Sequence, residues 1–184
     1  VKRGGGEPVI TSDICEALKA EGIVLPGVGA FKPAMEFLRP YESRVVEAIE
    51  RGKPLLGICL GMQLLFEESL EGGLSRGLSV MRGRVVPLPD GVKKPQMGWN
   101  TISIVRADPI FDGVKDGEYF YFVHSYYANA DESYVLALTE YGVPFPSVVR
   151  FRNAYGTQFH PEKSGKAGLQ ILRNFIRRVV LGES

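Results

Sequence analysis

The apolar positions in the first third of the chain alternate between short continuous runs and a helical period. The run at 23–25 ends at a Pro-Gly pair, which is typical of a buried strand stopped by a tight turn. Residues 45–49 carry an apolar stripe at helical spacing, and Gly52 ends it. A second run at 53–58, a turn at 57–61 and a helix at 62–68 follow in direct succession. This order predicts an α/β fold.

Strand-like runs dominate the rest of the chain, and we expect several of them to form antiparallel hairpins. They lie at 81–88, 101–105, 119–123, 134–139, 147–151 and 154–159. The last element has an apolar stripe at helical spacing with arginines on its other side, which predicts an amphipathic helix packed on the sheet. The stripe consists of Leu172, Phe175, Ile176 and Val179.

Composition narrows the classes of protein to consider. The 184 residues suit one domain, which we place at 1–184, and 45% hydrophobic with 23% charged residues is typical of a soluble globule. No apolar run approaches the roughly 20 residues that span a bilayer, so we expect no membrane partner. With 22 Lys+Arg against 21 Asp+Glu, the chain has no basic field for nucleic acid. Two cysteines and no signal-like segment predict a cytoplasmic protein.

Cys59 stands between two glycines, Gly57 and Gly61, at the predicted turn from strand to helix. This is the arrangement of a nucleophile elbow, with cysteine in place of serine. The N-terminus of a helix favours an anion, so it favours the thiolate that a nucleophile needs. The alternative is a small buried hydrophobic residue, which is the usual role of a free cysteine. We assign that packing role to Cys15, which has no glycine turn around it.

Attack of a thiolate on an amide requires a proton donor for the leaving amine, and histidine is the usual donor. His160 lies at the end of a predicted strand, and residues two apart in an extended chain project to the same side, so Glu162 can orient its ring. Pro161 favours the extended geometry of His160. An isolated His-Pro-Glu can equally be a strand end with a solvated carboxylate, so the hypothesis depends on the elbow being present as well.

Acyl transfer also requires hydrogen-bond donors for the developing oxyanion. In an elbow, the N–H of the residue after the nucleophile, here Leu60, is one such donor. The glycine-containing loop at 26–31 follows another predicted strand and can supply a second backbone N–H, although alone it is an ordinary turn.

Two of these segments resemble the main signatures of the class I glutamine amidotransferases. They are Gly-Ile-Cys-Leu-Gly-Met-Gln at 57–63 and Gln-Phe-His-Pro-Glu-Lys-Ser at 158–164. The resemblance runs from about residue 10 onward, and implies a thioester intermediate on a triad of Cys59, His160 and Glu162. It also implies an oxyanion hole that adds the N–H of Val28 to that of Leu60.

The resemblance further implies a fold, a substrate and site residues. The fold is a flavodoxin-like, mostly parallel mixed sheet with helices on both faces and an antiparallel extension. Relatives begin with a strand and an Asp-Tyr-Gly-x-Gly-Asn loop that do not precede Val1, so we expect that N-terminal strand to be missing. The substrate is L-glutamine, and we expect no cofactor and no metal. The residues implied to hold glutamine are Gly29, Gln63, Ser125 and Tyr126.

Within the class, three segments are similar to the glutaminase subunits of imidazole glycerol phosphate synthase, an enzyme of histidine biosynthesis. They are Leu-Pro-Gly-Val-Gly-Ala-Phe at 25–31, Pro-Gln-Met-Gly-Trp-Asn at 95–100 and Tyr-Phe-Val-His-Ser-Tyr at 121–126. The implied partner is a cyclase (β/α)8-barrel subunit in a heterodimer, because ammonia must reach its acceptor before it is protonated in water. The residues implied to face the partner are Trp99, Asn100, Tyr121 and Lys163, and His124 is implied to be structural or interfacial.

Three alternatives remain at this point. Trp99 and Tyr121 can be ordinary sheet aromatics, since both types are enriched in strands. The chain can be the glutaminase of another synthase, such as one that makes pyridoxal phosphate or a purine. It can also be a non-catalytic binding subunit in which Cys59 is inert.

Overall fold

A six-stranded mixed sheet forms the centre of the computed structural model, which describes residues 1–183. Numbered along the chain and given in sheet order, its strands are β1 (Ile23–Leu25), β2 (Leu55–Ile58), β12 (Ala154–Thr157), β11 (Pro144–Phe151), β10 (Val135–Glu140) and β7 (Ser103–Ile104). The first three strands are parallel, and the other pairings are antiparallel. The prediction of an α/β fold with a mixed sheet and an antiparallel extension is confirmed.

The remaining strands form two smaller sheets. One has the order β4 (Ser75–Arg76), β3 (Phe66–Ser69), β5 (Met81–Pro87) and β9 (Tyr126–Ala130), and the other pairs β6 (Gln96–Thr101) with β8 (Tyr119–His124). The helix predicted at 62–68 is wrong in its second half, because the backbone from Phe66 pairs with β5. The strand predicted at 101–105 is divided between the end of β6 and β7. Both errors arise because non-local pairing outweighs local propensity.

Helices cover the two faces of the central sheet. On one face, α1 (Ile14–Ala17), α2 (Phe31–Leu38) and α3 (Glu42–Glu50) contribute to a core that contains Phe31 and Ile49. On the other, α5 (Gly165–Asn174) continues into a π-helical segment at Phe175–Val180 and packs in a core that contains Ile171. The short α4 (Leu60–Gln63) follows β2 directly. No helix within residues 1–183 is long and apolar enough to cross a lipid bilayer.

The carboxyl ends of the three parallel strands meet at one edge of the sheet. Leu25 of β1 is in register with Gly57 of β2, and Ile58 is in register with Thr157 of β12. The loop after β1, the turn after β2 and the segment after β12 therefore lie side by side. This edge is where open α/β sheets usually bind ligands.

Candidate active site

The turn after β2 holds Cys59 in a strained backbone conformation, with φ 52° and ψ −107°. The strain is sustained by close packing on both sides. A Cβ atom at Gly57 would lie 2.5 Å from the carbonyl oxygen of Gly61, and one at Gly61 would lie 2.0 Å from the carbonyl oxygen of Leu25. Only glycine fits at either position, so the sequence forces the sharp strand-to-helix turn that presents the thiol.

Two polar atoms lie next to the sulfur of Cys59. The carbonyl oxygen of Val123 is 3.7 Å from Sγ and accepts the thiol hydrogen. The side-chain Nε2 of Gln158 is 3.6 Å from Sγ and donates to it. Cys59 itself is buried, so both contacts are shielded from bulk water. The chain's other thiol, on Cys15 of α1, accepts a hydrogen bond from the exposed Arg44 and lies away from Cys59.

His160 and Glu162 form a hydrogen-bonded pair beside Cys59. Nδ1 of the ring lies 2.8 Å from Oε1 of the carboxylate, while Nε2 is buried and has no hydrogen-bond partner within the described residues. The pKa of His160 is raised to about 9. The main cause is the interaction of its ring with the sulfur of Cys59, the second is the hydrogen bond to Glu162, and burial opposes both. Burial works to raise the pKa of Glu162, but its hydrogen bond with His160 and their attraction leave that pKa lowered. The ring can therefore carry a proton on the nitrogen that faces the site.

Backbone N–H groups of two segments also lie near Cys59. Leu60 is the first residue of α4, so its N–H has no partner within the helix. The loop after β1 packs tightly here, since a Cβ atom at Gly27 would lie 2.7 Å from the nitrogen of Leu60. In the same loop Val28 is 83% exposed and Gly29 has a φ of 103°. Both Val28 and Leu60 line a cavity over Cys59.

A cavity of about 320 Å³ opens over Cys59, a size suited to a small molecule. All four residues implied by the resemblance to hold glutamine line it, namely Gly29, Gln63, Ser125 and Tyr126. It is also lined by Glu71, which the sequence analysis missed. Oε2 of Glu71 accepts the backbone N–H of Phe31 at 3.0 Å, at the start of α2. Forty positions separate the two residues, so no local pattern indicates their contact.

His124 also borders the cavity but differs from His160 in its surroundings. Its Nδ1 lies 2.8 Å from the carbonyl oxygen of Tyr126, and its Nε2 lies 2.8 Å from the side-chain amide of Gln96. Burial is the main cause that lowers its pKa to about 4, and repulsion from His160 adds to the effect. The ring is therefore neutral at physiological pH and joins β6, β8 and β9.

Of the four residues implied to face a partner, only Lys163 lines the cavity. Trp99 of β6 is 55% exposed and meets Tyr121 of β8 edge to face, with ring centroids 6.0 Å apart. Lys163 is exposed and lines the cavity. Asn100 is half-buried, and its side chain is used inside the chain, donating to the Glu140 carbonyl at 2.9 Å.

Comparison with known proteins decides the family. The family model described as glutamine amidotransferase class-I matches residues 8–179. This chain belongs to the class I glutamine amidotransferases. Among curated relatives of this amidotransferase, the imidazole glycerol phosphate synthase subunit HisH of Archaeoglobus fulgidus is 52% identical over 176 residues, covering 95% of this chain and 88% of the relative. The HisH subunit of Methanocaldococcus jannaschii is 49% identical over 168 residues, covering 91% and 86%.

Solved structures agree on the amidotransferase fold. The crystal structure of a glutamine amidotransferase from Thermotoga maritima has a TM-score of 0.64 and 17% identity, covering 86% of this chain and 76% of that one. The glutaminase domain of Trypanosoma brucei CTPS, solved with bound acivicin, has a TM-score of 0.65 at 16% identity, with 92% and 74% covered. At 17% and 16% identity the likeness is one of fold alone.

Proposed function

We propose that this chain is the glutaminase subunit of an imidazole glycerol phosphate synthase. It hydrolyses the side-chain amide of L-glutamine and passes the ammonia to a cyclase subunit in histidine biosynthesis. The observation that carries the proposal is the strained Cys59 beside the His160–Glu162 pair, in one small cavity. Relatives about half identical over nearly the whole chain, each named subunit HisH, support the choice of synthase.

In the first half of the reaction, the thiolate of Cys59 attacks the side-chain carbonyl carbon of glutamine. The S–C bond forms as the carbonyl electron pair moves to oxygen, where the N–H groups of Leu60 and Val28 stabilise the negative charge. Protonated His160 then gives its Nε2 proton to the amide nitrogen as the C–N bond breaks. Ammonia leaves, and a thioester and a neutral imidazole remain.

In the second half, water attacks the thioester carbon while His160 accepts one of its protons. A second oxyanion forms in the same place and collapses with cleavage of the C–S bond, which regenerates the thiolate and releases glutamate. Glu162 holds the ring by its Nδ1–H throughout and stabilises its charged form. Burial works to raise the pKa of Glu162, but the hydrogen bond with His160 holds it below its usual range, so this carboxylate stays ionised.

Substrate binding uses groups with complementary charge. Both hydrogens of the Gln63 amide are bonded inside the chain, to the carbonyl of Tyr126 at 2.9 Å and to Oε1 of Gln158 at 3.1 Å. The amide oxygen of Gln63 is therefore the part left to accept from the glutamine ammonium. The carboxylate of Glu71 lines the same cavity and supplies the negative charge that this ammonium requires.

The partner binds on the surface formed by Trp99, Tyr121 and Lys163. This surface is continuous with the site, because the backbone N–H of His160 donates to the carbonyl of Tyr121 at 2.9 Å. An exposed aromatic pair is the kind of anchor that recognition surfaces use. Docking there covers the cavity, so ammonia is delivered before water protonates it.

The test is glutamate release from glutamine by this chain, alone and with an added cyclase partner and the nucleotide ligand of that cyclase. We expect activity that rises with the partner and is lost in Cys59→Ala, while Cys15→Ala, the matched control, keeps it. Stimulation by a purine or pyridoxal phosphate synthase instead would reassign the pathway. If glutamate is not released under any of these conditions and a glutamine analogue fails to alkylate Cys59, the chain is a non-catalytic subunit.

A further inference from the structure

Two buried glutamine side chains connect the nucleophile to the backbone of β9. Nε2 of Gln63 donates to the carbonyl of Tyr126 at 2.9 Å and to Oε1 of Gln158 at 3.1 Å. Nε2 of Gln158 in turn lies 3.6 Å from Sγ of Cys59. Gln158 is wholly buried and Gln63 nearly so. Two amides in the core have a desolvation cost, and their hydrogen bonds offset it only in one arrangement.

The direction of these hydrogen bonds is fixed by the backbone. A backbone carbonyl can only accept, so the atom of Gln63 that faces Tyr126 must be its amide nitrogen. That nitrogen has a second hydrogen, which it gives to Gln158, so Gln158 must turn its oxygen toward Gln63. Its amide nitrogen is then forced toward the sulfur of Cys59. The Tyr126 carbonyl is itself held by Nδ1 of His124 at 2.8 Å.

We propose that Gln158 is a further catalytic residue, which stabilises the Cys59 thiolate by donating a side-chain amide hydrogen to its sulfur. The inference rests on the proposed function to the extent that the thiolate is the attacking species. Gln63 is the positioning residue, since it decides which end of the Gln158 amide faces the sulfur.

The two polar neighbours of the sulfur act in opposite directions. The Val123 carbonyl at 3.7 Å accepts a hydrogen and therefore favours the neutral thiol. The Gln158 amide donates a hydrogen and therefore favours the anion, and donors to a charged group bind about twice as strongly as those to a neutral one. The Gln158 amide is neutral and does not take up a proton, so it stabilises the thiolate without competing with His160 for the proton.

The test is the pH dependence of Cys59 alkylation by iodoacetamide in the full chain, followed by mass spectrometry of the peptide that carries Cys59. Gln158→Met keeps the length of the side chain and removes the donor. We expect the midpoint of its alkylation profile to move upward by about one pH unit, which is a tenfold fall in thiolate at a given pH. Ser147→Ala is the matched control, because Ser147 is wholly buried, bonds to the backbone of Gln158 and has an unpartnered hydroxyl.

A second variant and a measurement on the unaltered chain keep the inference testable if Gln158→Met does not fold. Gln158→Leu also removes the donor and adds no charge, and its alkylation midpoint should lie above that of the wild type as well. In the wild-type chain, the side-chain amide resonances of Gln158 should titrate with the same midpoint as Cys59 alkylation. Variant profiles that superimpose on the wild type, or amide resonances that do not move, overturn the inference. These readouts do not involve glutamate release, so an inactive chain with the expected profiles would contradict the proposed function alone.

Discussion

The two histidines of the chain provide a direct test of the site's electrostatics. His160 has its pKa raised to about 9 and His124 has its pKa lowered to about 4, so an NMR titration of the ring protons should resolve two well-separated curves. The larger cause of the raised pKa of His160 is its interaction with the sulfur of Cys59. We therefore expect Cys59→Ala to lower the midpoint of His160 by about one to two pH units, and to leave His124 nearly unchanged as an internal control.

The raised pKa of His160 makes the free energy of unfolding depend on pH. A rise in pKa from 6.5 to about 9 corresponds to roughly 3 kcal/mol of preference for the charged ring, at about 1.4 kcal/mol per unit. Because the folded chain holds this proton more tightly than the unfolded chain does, the contribution is fully present below pH 6.5 and is lost as the pH rises through about 9. Urea unfolding should show a steeper loss of stability in this window for the wild type than for Cys59→Ala.

A second variant separates the two causes. Glu162→Gln should also lower the midpoint of His160, but by less, because the carboxylate is the second cause and its side chain is 46% exposed to screening solvent. The reasoning is refuted if His160 titrates near 6.5 in the wild type, or if its midpoint in Cys59→Ala coincides with that of the wild type.

Three further predictions concern the fold and the surface. Gly61→Ala places a Cβ atom 2.0 Å from the carbonyl oxygen of Leu25, and it should lower the free energy of unfolding in urea by roughly 1–3 kcal/mol or more. Gly91→Ala is the control, because Gly91 has open space around it and the substitution should cost only about 1 kcal/mol of backbone strain. Asp108→Ala removes a carboxylate that is 3% exposed and bonded to a guanidinium and a phenol, and should destabilise the chain by about 2–3 kcal/mol in the same assay. Trp99→Ala should change stability by no more than about 0.5 kcal/mol, yet weaken cyclase binding measured by calorimetry by about 2 kcal/mol. Equal losses in both measurements would assign Trp99 to the core of the sheet.

The elbow could be predicted from the sequence because its physical requirement is local. A thiol at a strand-to-helix turn needs glycines two residues before and after it, and that spacing is visible in five letters of sequence. The pair of His160 and Glu162 is local for the same reason, since extended residues two apart share one side. Family resemblance supplied the substrate and partner residues, for which spacing alone gives no signal.

Other parts depend on contacts between distant positions. Phe66 enters a strand because β5 is available to pair with it, although the preceding residues are helical. Strands β6 and β9 were missed because glycine, asparagine and glutamine interrupt their apolar alternation, and each is stabilised by its antiparallel neighbour. Glu71 and Gln158 reach the site through bonds to residues 40 and 99 positions away. Local sequence patterns cannot predict contacts between positions so far apart in the chain.

The opposite states of the two histidines follow from the partners that each ring finds on burial. Burial of His124 outweighs its hydrogen bond to the Tyr126 carbonyl, and no carboxylate contacts the ring, so its pKa is lowered and the ring stays neutral at the pH of the cell. His160 is also buried, but the Glu162 carboxylate and the Cys59 sulfur in its thiolate form compensate the lost hydration of its charge. Two residues of the same type can therefore have different roles, because their surroundings shift their pKa values in opposite directions. Although both rings border one cavity, only His160 can hold a proton at neutral pH, as the proposed reaction requires, and His124 is left to hold the Tyr126 carbonyl in place.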